Sequence, residues 1–236
     1  MFDIKSNNLE IVLFGYGTTG TKIYEMLSAN FSKVTVVDKD ERHIEKAKND
    51  GIVTSYLVDI TNDSELEELG LNGKILFCAM DEMSLNIFLA LSLKSITHDS
   101  ILLSISTSAE NTRKLKFIGV DKVIDIYESS ANRIVDIIIR PAVTRVMDEI
   151  IYVDNGISIE EIEIPEGSFL DGKCVHEINF KEYGLILIGI SDKELGEDFI
   201  FVTRGINHKF DAGDILVLMG ETPSLEAFYK KLTEKR

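Results

Sequence analysis

Between Ile11 and Ile126 the chain repeats one alternation: a short apolar run, then a mixed segment whose apolar residues recur at helical spacing. The runs lie at 11–14, 33–38, 53–58, 74–80, 100–105 and 122–126. The first and fourth carry almost no polar residue, which is how a strand covered on both faces of a parallel sheet reads. The segments at 21–29, 41–50, 63–69, 83–93 and 111–118 predict helices. Gly51 and Gly119 follow two of them as C-terminal stops, and Asp63 or Ser64 is the expected cap of the third. This order predicts an α/β domain over residues 1–130, built on a doubly wound, parallel, six-stranded sheet.

Residues 131–154 differ in kind. Ile134, Val135, Ile138, Ile139, Ala142, Val143, Val146 and Met147 form a wide apolar face on a helical period. Pro141 cannot continue an unbroken helix, so two helices with a break there are expected. The segment reads as a core helix of the first domain or as a crossover and hinge buried against another subunit. Its place after a completed sheet favours the second. Asn155-Gly156 marks a turn and a domain boundary. Beyond it, Ile159, Ile162 and Ile164 alternate with acids as a half-exposed strand does. Further strands are expected at 185–190, 199–202 and 215–219, a short helix at 175–181, and a last helix from the 221–224 cap through Leu232. Residues 155–236 thus predict a small α+β domain.

Charge narrows the partners. With 40 acidic against 25 basic residues, the net charge is −15, which argues against nucleic-acid binding and against a polybasic membrane patch. Cys78 and Cys174 are far apart and outside any ligand-spaced motif, so they are expected to be reduced thiols. Residues 1–6 show no signal-peptide core, and Asp136, Arg140 and Arg145 interrupt the most apolar stretch. The composition predicts a soluble, acidic, cytoplasmic protein.

The candidate chemistry begins where the first apolar run breaks into Gly15, Tyr16, Gly17, Thr18, Thr19 and Gly20. Gly15 would allow a tight turn off the strand, Gly17 a close approach to phosphate, and Gly20 close packing of the next helix on the sheet. The free amides of that helix start then face an anion. Asp38 ends the second run, at the position where an acid about 20 residues past such a loop accepts ribose hydroxyls. Its other reading is a cap for the helix starting at Glu41, and both roles can coexist, but the strand, the distance and the residue type agree on the ribose role. A carboxylate there repels a ribose 2′-phosphate, which argues against NADP. Lys39 meets a phosphate or stays solvated. In a doubly wound sheet the loops after the first four strands share one edge, so Asp59, Ile60, Thr61, Ala79, Met80 and Asp81 converge with the glycine loop.

These parts together resemble the RCK (regulator of K⁺ conductance) family, also called KTN or TrkA-N/TrkA-C, over nearly the whole chain. The N-terminal likeness rests on Gly15-Tyr16-Gly17-Thr18-Thr19-Gly20, Asp38, Asp59-Ile60-Thr61 and Gly119-Val120-Asp121-Lys122-Val123-Ile124. The C-terminal likeness rests on Ile164-Pro165-Glu166-Gly167-Ser168, Leu170-Asp171-Gly172-Lys173, Tyr183-Gly184 and the stretch from Ala212-Gly213-Asp214 through Gly220. The resemblance implies a Rossmann-like domain at 1–130, crossover helices at 131–154 and a TrkA-C domain at 155–236. It implies a non-catalytic regulator at the inner face of the membrane that gates a potassium channel or transporter. The pore would lie in a partner subunit or in preceding helices of the same longer chain. It also implies homodimers stacked into an octameric ring. The ligand it implies is NAD or NADH, with ATP, ADP or AMP as the alternative, at the glycine loop, Asp38 and Lys39. Asp59 and Thr61 would lie near the base, Ala79 to Asp81 on the inner side, and Asn86 in the wall.

The sequence departs from the family pattern at two places. Val58 stands where a glycine usually precedes the acid. Ser104, Ser106 and Ser108 follow the fifth run where an arginine or acids are common. Serine hydroxyls are poor ligands for a hard cation, so a calcium site of the channel type is not expected, with Glu110 the one nearby acid. The competing reading is a small NAD-dependent oxidoreductase, which needs an acid/base group at the nicotinamide. His43, His98, His176 and His208 belong to no such constellation and are expected at the surface.

Overall fold

The computed structural model describes residues 9–153, 155–193, 199–202 and 208–234, so the reading of residues 1–6 lies outside it. The chain divides into two units, Met1–Val135 and Asp136–Arg236.

In the first unit the elements follow as β1 (Ile11–Phe14), α1 (Thr18–Asn30), β2 (Val34–Asp38), α2 (Glu41–Asn49), β3 (Ser55–Leu57), α3 (Asp63–Glu67), β4 (Ile75–Cys78), α4 (Met83–Ile96), β5 (Ile101–Ser106), α5 (Ala109–Ile118) and β6 (Lys122–Asp125). All six strands are parallel, in the order β3-β2-β1-β4-β5-β6. The order reverses at β1, so the crevice of the sheet opens between β1 and β4. Every residue of β1 is buried. Val12, Phe14, Leu76, Leu89, Leu93 and Leu102 belong to the largest core cluster.

Element boundaries moved for local reasons. Helix α1 starts at Thr18, three residues before the predicted start, because the glycine loop turns into it at once. Two caps are other residues than the expected ones. Asp40, not Asp38, accepts the Arg42 amide at the start of α2, and Asn62, not Asp63 or Ser64, accepts the Ser64 amide at the start of α3. A cap must have extended backbone, and those residues have it.

Helix α6 (Ile126–Ile139) leaves β6 directly, and α7 (Pro141–Tyr152) begins at the expected proline, so the chain breaks at Arg140. Asp125 caps α6 early by accepting the amides of Tyr127 and Glu128, which is why the helix starts before residue 131. The division between the two units falls within α6. No residue of α6 is buried, and only Thr144 of α7 is.

The second unit continues with β7 (Ile157–Glu163), β8 (Leu185–Ser191), β9 (Phe199–Phe201), β10 (Ile215–Glu221) and α8 (Thr222–Thr233). The strands form an antiparallel sheet in the order β7-β10-β8-β9. Leu216 and Leu218 of β10 pack with Phe180, Phe210, Leu225 and Phe228. The short helix expected at 175–181 is instead two 3-10 turns, Val175–Glu177 and Phe180–Tyr183. Val175, Ile178 and Phe180 must all reach one core, and a continuous helix would not turn all three toward it. Among the described residues no helix is long and apolar enough to cross a membrane.

Candidate functional site

The loops after β1, β2, β3 and β4 leave the carboxyl edge of the parallel sheet together. The glycine loop is pinned there by contacts that exclude side chains. Gly15 has φ +104°, and a Cβ on it would come within 2.5 Å of the Ala79 carbonyl oxygen. A Cβ on Gly20 would collide with the Gly15 carbonyl, and one on Gly17 with the Asp81 carboxylate. Backbone atoms thus require glycine at positions 15 and 20, whereas at Gly17 only the end of the exposed Asp81 side chain stands in the way.

Asp38 is 1% exposed and has three polar partners. Its Oδ2 accepts the Tyr16 amide at 2.7 Å and faces His43 Nδ1 at 2.9 Å, while its Oδ1 accepts the Asp40 amide at 2.9 Å. His43 is a third exposed and so lies only partly at the surface. The first turn of α2 folds it back onto the end of β2. The Arg42 guanidinium and amide hold the neighbouring Asp40 carboxyl down at about 2.

The remaining predicted residues divide by exposure. Thr18, Lys39, Asp59, Thr61 and Asp81 are exposed along the edge, where they can meet a ligand. Asp59 accepts both the amide and the hydroxyl of Thr61, at 2.9 and 2.7 Å. Those bonds, with Lys39 nearby, hold its carboxyl below the usual range. Tyr16, Ile60, Ala79 and Met80 are buried, so only their backbone could face a ligand. The Tyr16 ring packs with Val36, Ile44, Ala47 and Ile52, and its hydroxyl donates to Asp50 at 2.9 Å. Burial is the main reason its phenol is pushed up from the ordinary value.

Asn86 is a buried brace instead of a wall residue. Its Oδ1 accepts the Met80 amide at 2.9 Å, and its Nδ2 donates to Ser104 Oγ at 2.8 Å and to the Ile105 carbonyl at 3.1 Å. Ser106 accepts from Thr112 and donates to the Ser108 carbonyl, so the hydroxyls at the end of β5 are spent within the fold. Glu110 pairs with Lys114 at 2.7 Å. Val58 is buried, and its amide donates to the Asp38 carbonyl at 3.0 Å. A cavity of about 240 Å³ bordered by Thr35, Tyr56, Glu68 and Lys74 lies apart from the edge and shares no residue with it.

In the second unit, His208 also departs from its expected surface position. Its side chain is 11% exposed, with Nε2 3.0 Å from Asp214 Oδ2 and Nδ1 3.7 Å from Asp192 Oδ2. Asp214 also accepts the Lys193 and Asp211 amides, which closes the Ala-Gly-Asp turn into β10.

A doubly wound parallel sheet with a glycine loop and an acid on the next strand defines a Rossmann-like domain, here followed by a small antiparallel module. The chain belongs to the RCK, or TrkA-N/TrkA-C, family: the TrkA-N domain profile matches residues 11–126 and the TrkA-C domain profile residues 159–233. It is 22% identical over 226 residues to Potassium channel protein 1 of Methanocaldococcus jannaschii, covering 94% of this chain and 66% of that protein. The chain thus spans just under two thirds of that relative's length. Among solved structures, it resembles the NAD(P)-binding domain of an exopolyphosphatase-related protein from Archaeoglobus fulgidus, with TM-score 0.51 and 21% identity, over 56% of this chain and 98% of that one. It also resembles the GsuK RCK domain, with TM-score 0.44 and 18% identity, over 98% of this chain and 47% of that one.

Proposed function

We propose that this chain is a non-catalytic sensor that binds NAD or NADH at the carboxyl edge of its parallel sheet and gates potassium movement through a membrane partner. The observation that carries the nucleotide reading is the coupling of the glycine loop to Asp38. One acid anchors the loop through the Tyr16 amide and stands at the ribose position beside it. Thr19 supplies a first-turn amide of α1 for a phosphate, since that of Thr18 donates to Asp81, Lys39 adds a positive charge, and Asp59 and Thr61 border the base. ATP, ADP and AMP share the adenosine half and are the alternative ligands.

Membership of the RCK family and the likeness to a potassium channel protein support the gating role. The partner is a channel or transporter subunit, or pore helices of the same longer chain, with this chain at the cytoplasmic face of the membrane. The exposed apolar faces of α6 and α7, among them Ile134, Ile138, Val143 and Val146, support homodimers that stack into an octameric ring. A ligand then sets the gate only through its difference in affinity between ring conformations.

The test is thermal unfolding with increasing NAD⁺, NADH, ATP, ADP and AMP. A ligand of the folded state raises the midpoint with concentration, and Asp38→Ala removes that rise. If no nucleotide moves the midpoint, the sensor reading is wrong.

A further inference from the structure

Helix α1 lacks the groups that normally satisfy a helix start. Its cap residue is Gly17, no side chain caps it from the preceding turn, and its first turn contains no acid. The missing acceptor arrives from a different part of the chain. Asp81, in the loop between β4 and α4, accepts the Thr18 amide through Oδ2 at 3.1 Å. Its carboxylate lies so close over Gly17 that a Cβ there would overlap it. The backbone leading to Asp81 is held in place. The Ala79 amide donates to the Phe14 carbonyl at 2.8 Å, and the Met80 amide to the buried Asn86 brace. The fixed backbone of this loop therefore sets the exposed Asp81 carboxylate at the start of α1.

The sheet order sets what that charge faces. Asp38 ends β2 on one side of β1, and Asp81 follows β4 on the other. A dinucleotide lies across the crevice at the point where the strand order reverses, with its pyrophosphate over the loop. Its adenosine ribose then falls on the Asp38 side and its second ribose on the Asp81 side. A ribose hydroxyl can donate to a carboxylate, and such a charge-assisted bond is a strong one. The two phosphates of a dinucleotide carry one charge each, whereas the terminal phosphate of ADP or ATP carries a second and is repelled more strongly by the same carboxylate.

We infer that Asp81 selects the ligand by charge, admitting a dinucleotide with a neutral second ribose and disfavouring nucleoside di- and triphosphates. The inference rests on the nucleotide reading above and deepens it.

The test compares the full chain with Asp81→Asn, which keeps an acceptor for the Thr18 amide and removes the charge, and with Asp81→Ser as a second variant. Titration calorimetry with NAD⁺, ADP and ATP reads the affinities. Asp81→Asn is expected to tighten ADP and ATP by about tenfold or more, with the gain shrinking as salt is raised, and to weaken NAD⁺ by about threefold. Asp81→Ser is expected to move the ratio of ATP to NAD⁺ affinity in the same direction. If both variants change all three affinities by one common factor, Asp81 is only a structural cap and the selection role is overturned. If wild type binds NAD⁺ but ATP is unaffected by either variant, the role is likewise overturned while the nucleotide reading stands. Binding of no nucleotide by wild type overturns both.

Discussion

The Tyr16 amide donates to Asp38 Oδ2 at 2.7 Å, joining the second residue of the glycine loop to the last residue of β2. The acceptor is 1% exposed and also holds the Asp40 amide and faces His43. A residue placed by its spacing as a ligand group is thus also a structural anchor. Asp38→Ala leaves the buried Tyr16 amide without its partner. It should lower stability by about 1–3 kcal/mol, measured by urea unfolding, in addition to weakening nucleotide binding.

Gly15 combines a left-handed backbone with a blocked Cβ position, φ +104° and 2.5 Å from the Ala79 carbonyl oxygen. Gly15→Ala should therefore separate β1 from the start of the β4 loop. A loss of about 2–4 kcal/mol of stability is expected, larger than the cost of the positive φ alone. Chemical denaturation of the full chain measures it.

The Tyr16 side chain points into the cluster around Ile44 and Ala47, away from the exposed edge. Tyr16→Phe removes only the hydroxyl bond to Asp50. It should lower stability by about 1 kcal/mol and leave NAD⁺ affinity within about twofold of wild type, as read by calorimetry.

Asp121 gives the first unit a defined acid sensitivity. Burial favours its protonated form, but the Lys94 ammonium at 2.8 Å and the Leu102 amide at 2.7 Å outweigh burial and hold the carboxyl below its ordinary value. A depressed folded value means this stabilisation is fully present above the unfolded carboxyl range near about pH 4 and is lost as pH falls below it. Lys94→Met should flatten the stability profile in that acid window and leave its slope at neutral pH unchanged. Thermal unfolding from pH 2 to 7 tests this.

Helices α6 and α7 present Ile138 at 73% and Val143 at 58% exposure, with no residue of α6 buried. If these faces meet in a second copy, Ile138→Glu places a charge in the contact and should shift the sedimenting species to monomer at micromolar concentration. A variant that sediments like wild type would refute the homodimer assignment of this face.

Much of the architecture was legible because strand and helix differ in hydrophobic period, and β1 and β4 read as buried on both faces. Pro141 showed the break between α6 and α7 because a missing amide and a ring clash are local properties. The glycine loop and Asp38 were legible because turn geometry and a strand end are also local. The two histidines at carboxylates were not. His43 lies 5 residues from Asp38 and His208 6 from Asp214, and neither spacing is a motif.

By itself the sequence determined most of the strands and helices, though not the turns at 175–183, and the candidate nucleotide loop, since these follow from periodicity, turn chemistry and family motifs. Only the tertiary structure decided what each polar group spends its hydrogen bonds on. It turned Asn86 from a wall residue into a brace, sent the Tyr16 ring into the core, and brought Asp81 across 63 positions onto the start of α1. The physical reason is that a buried or helix-terminal amide must find an acceptor wherever the fold supplies one, and that acceptor need not be near in the chain.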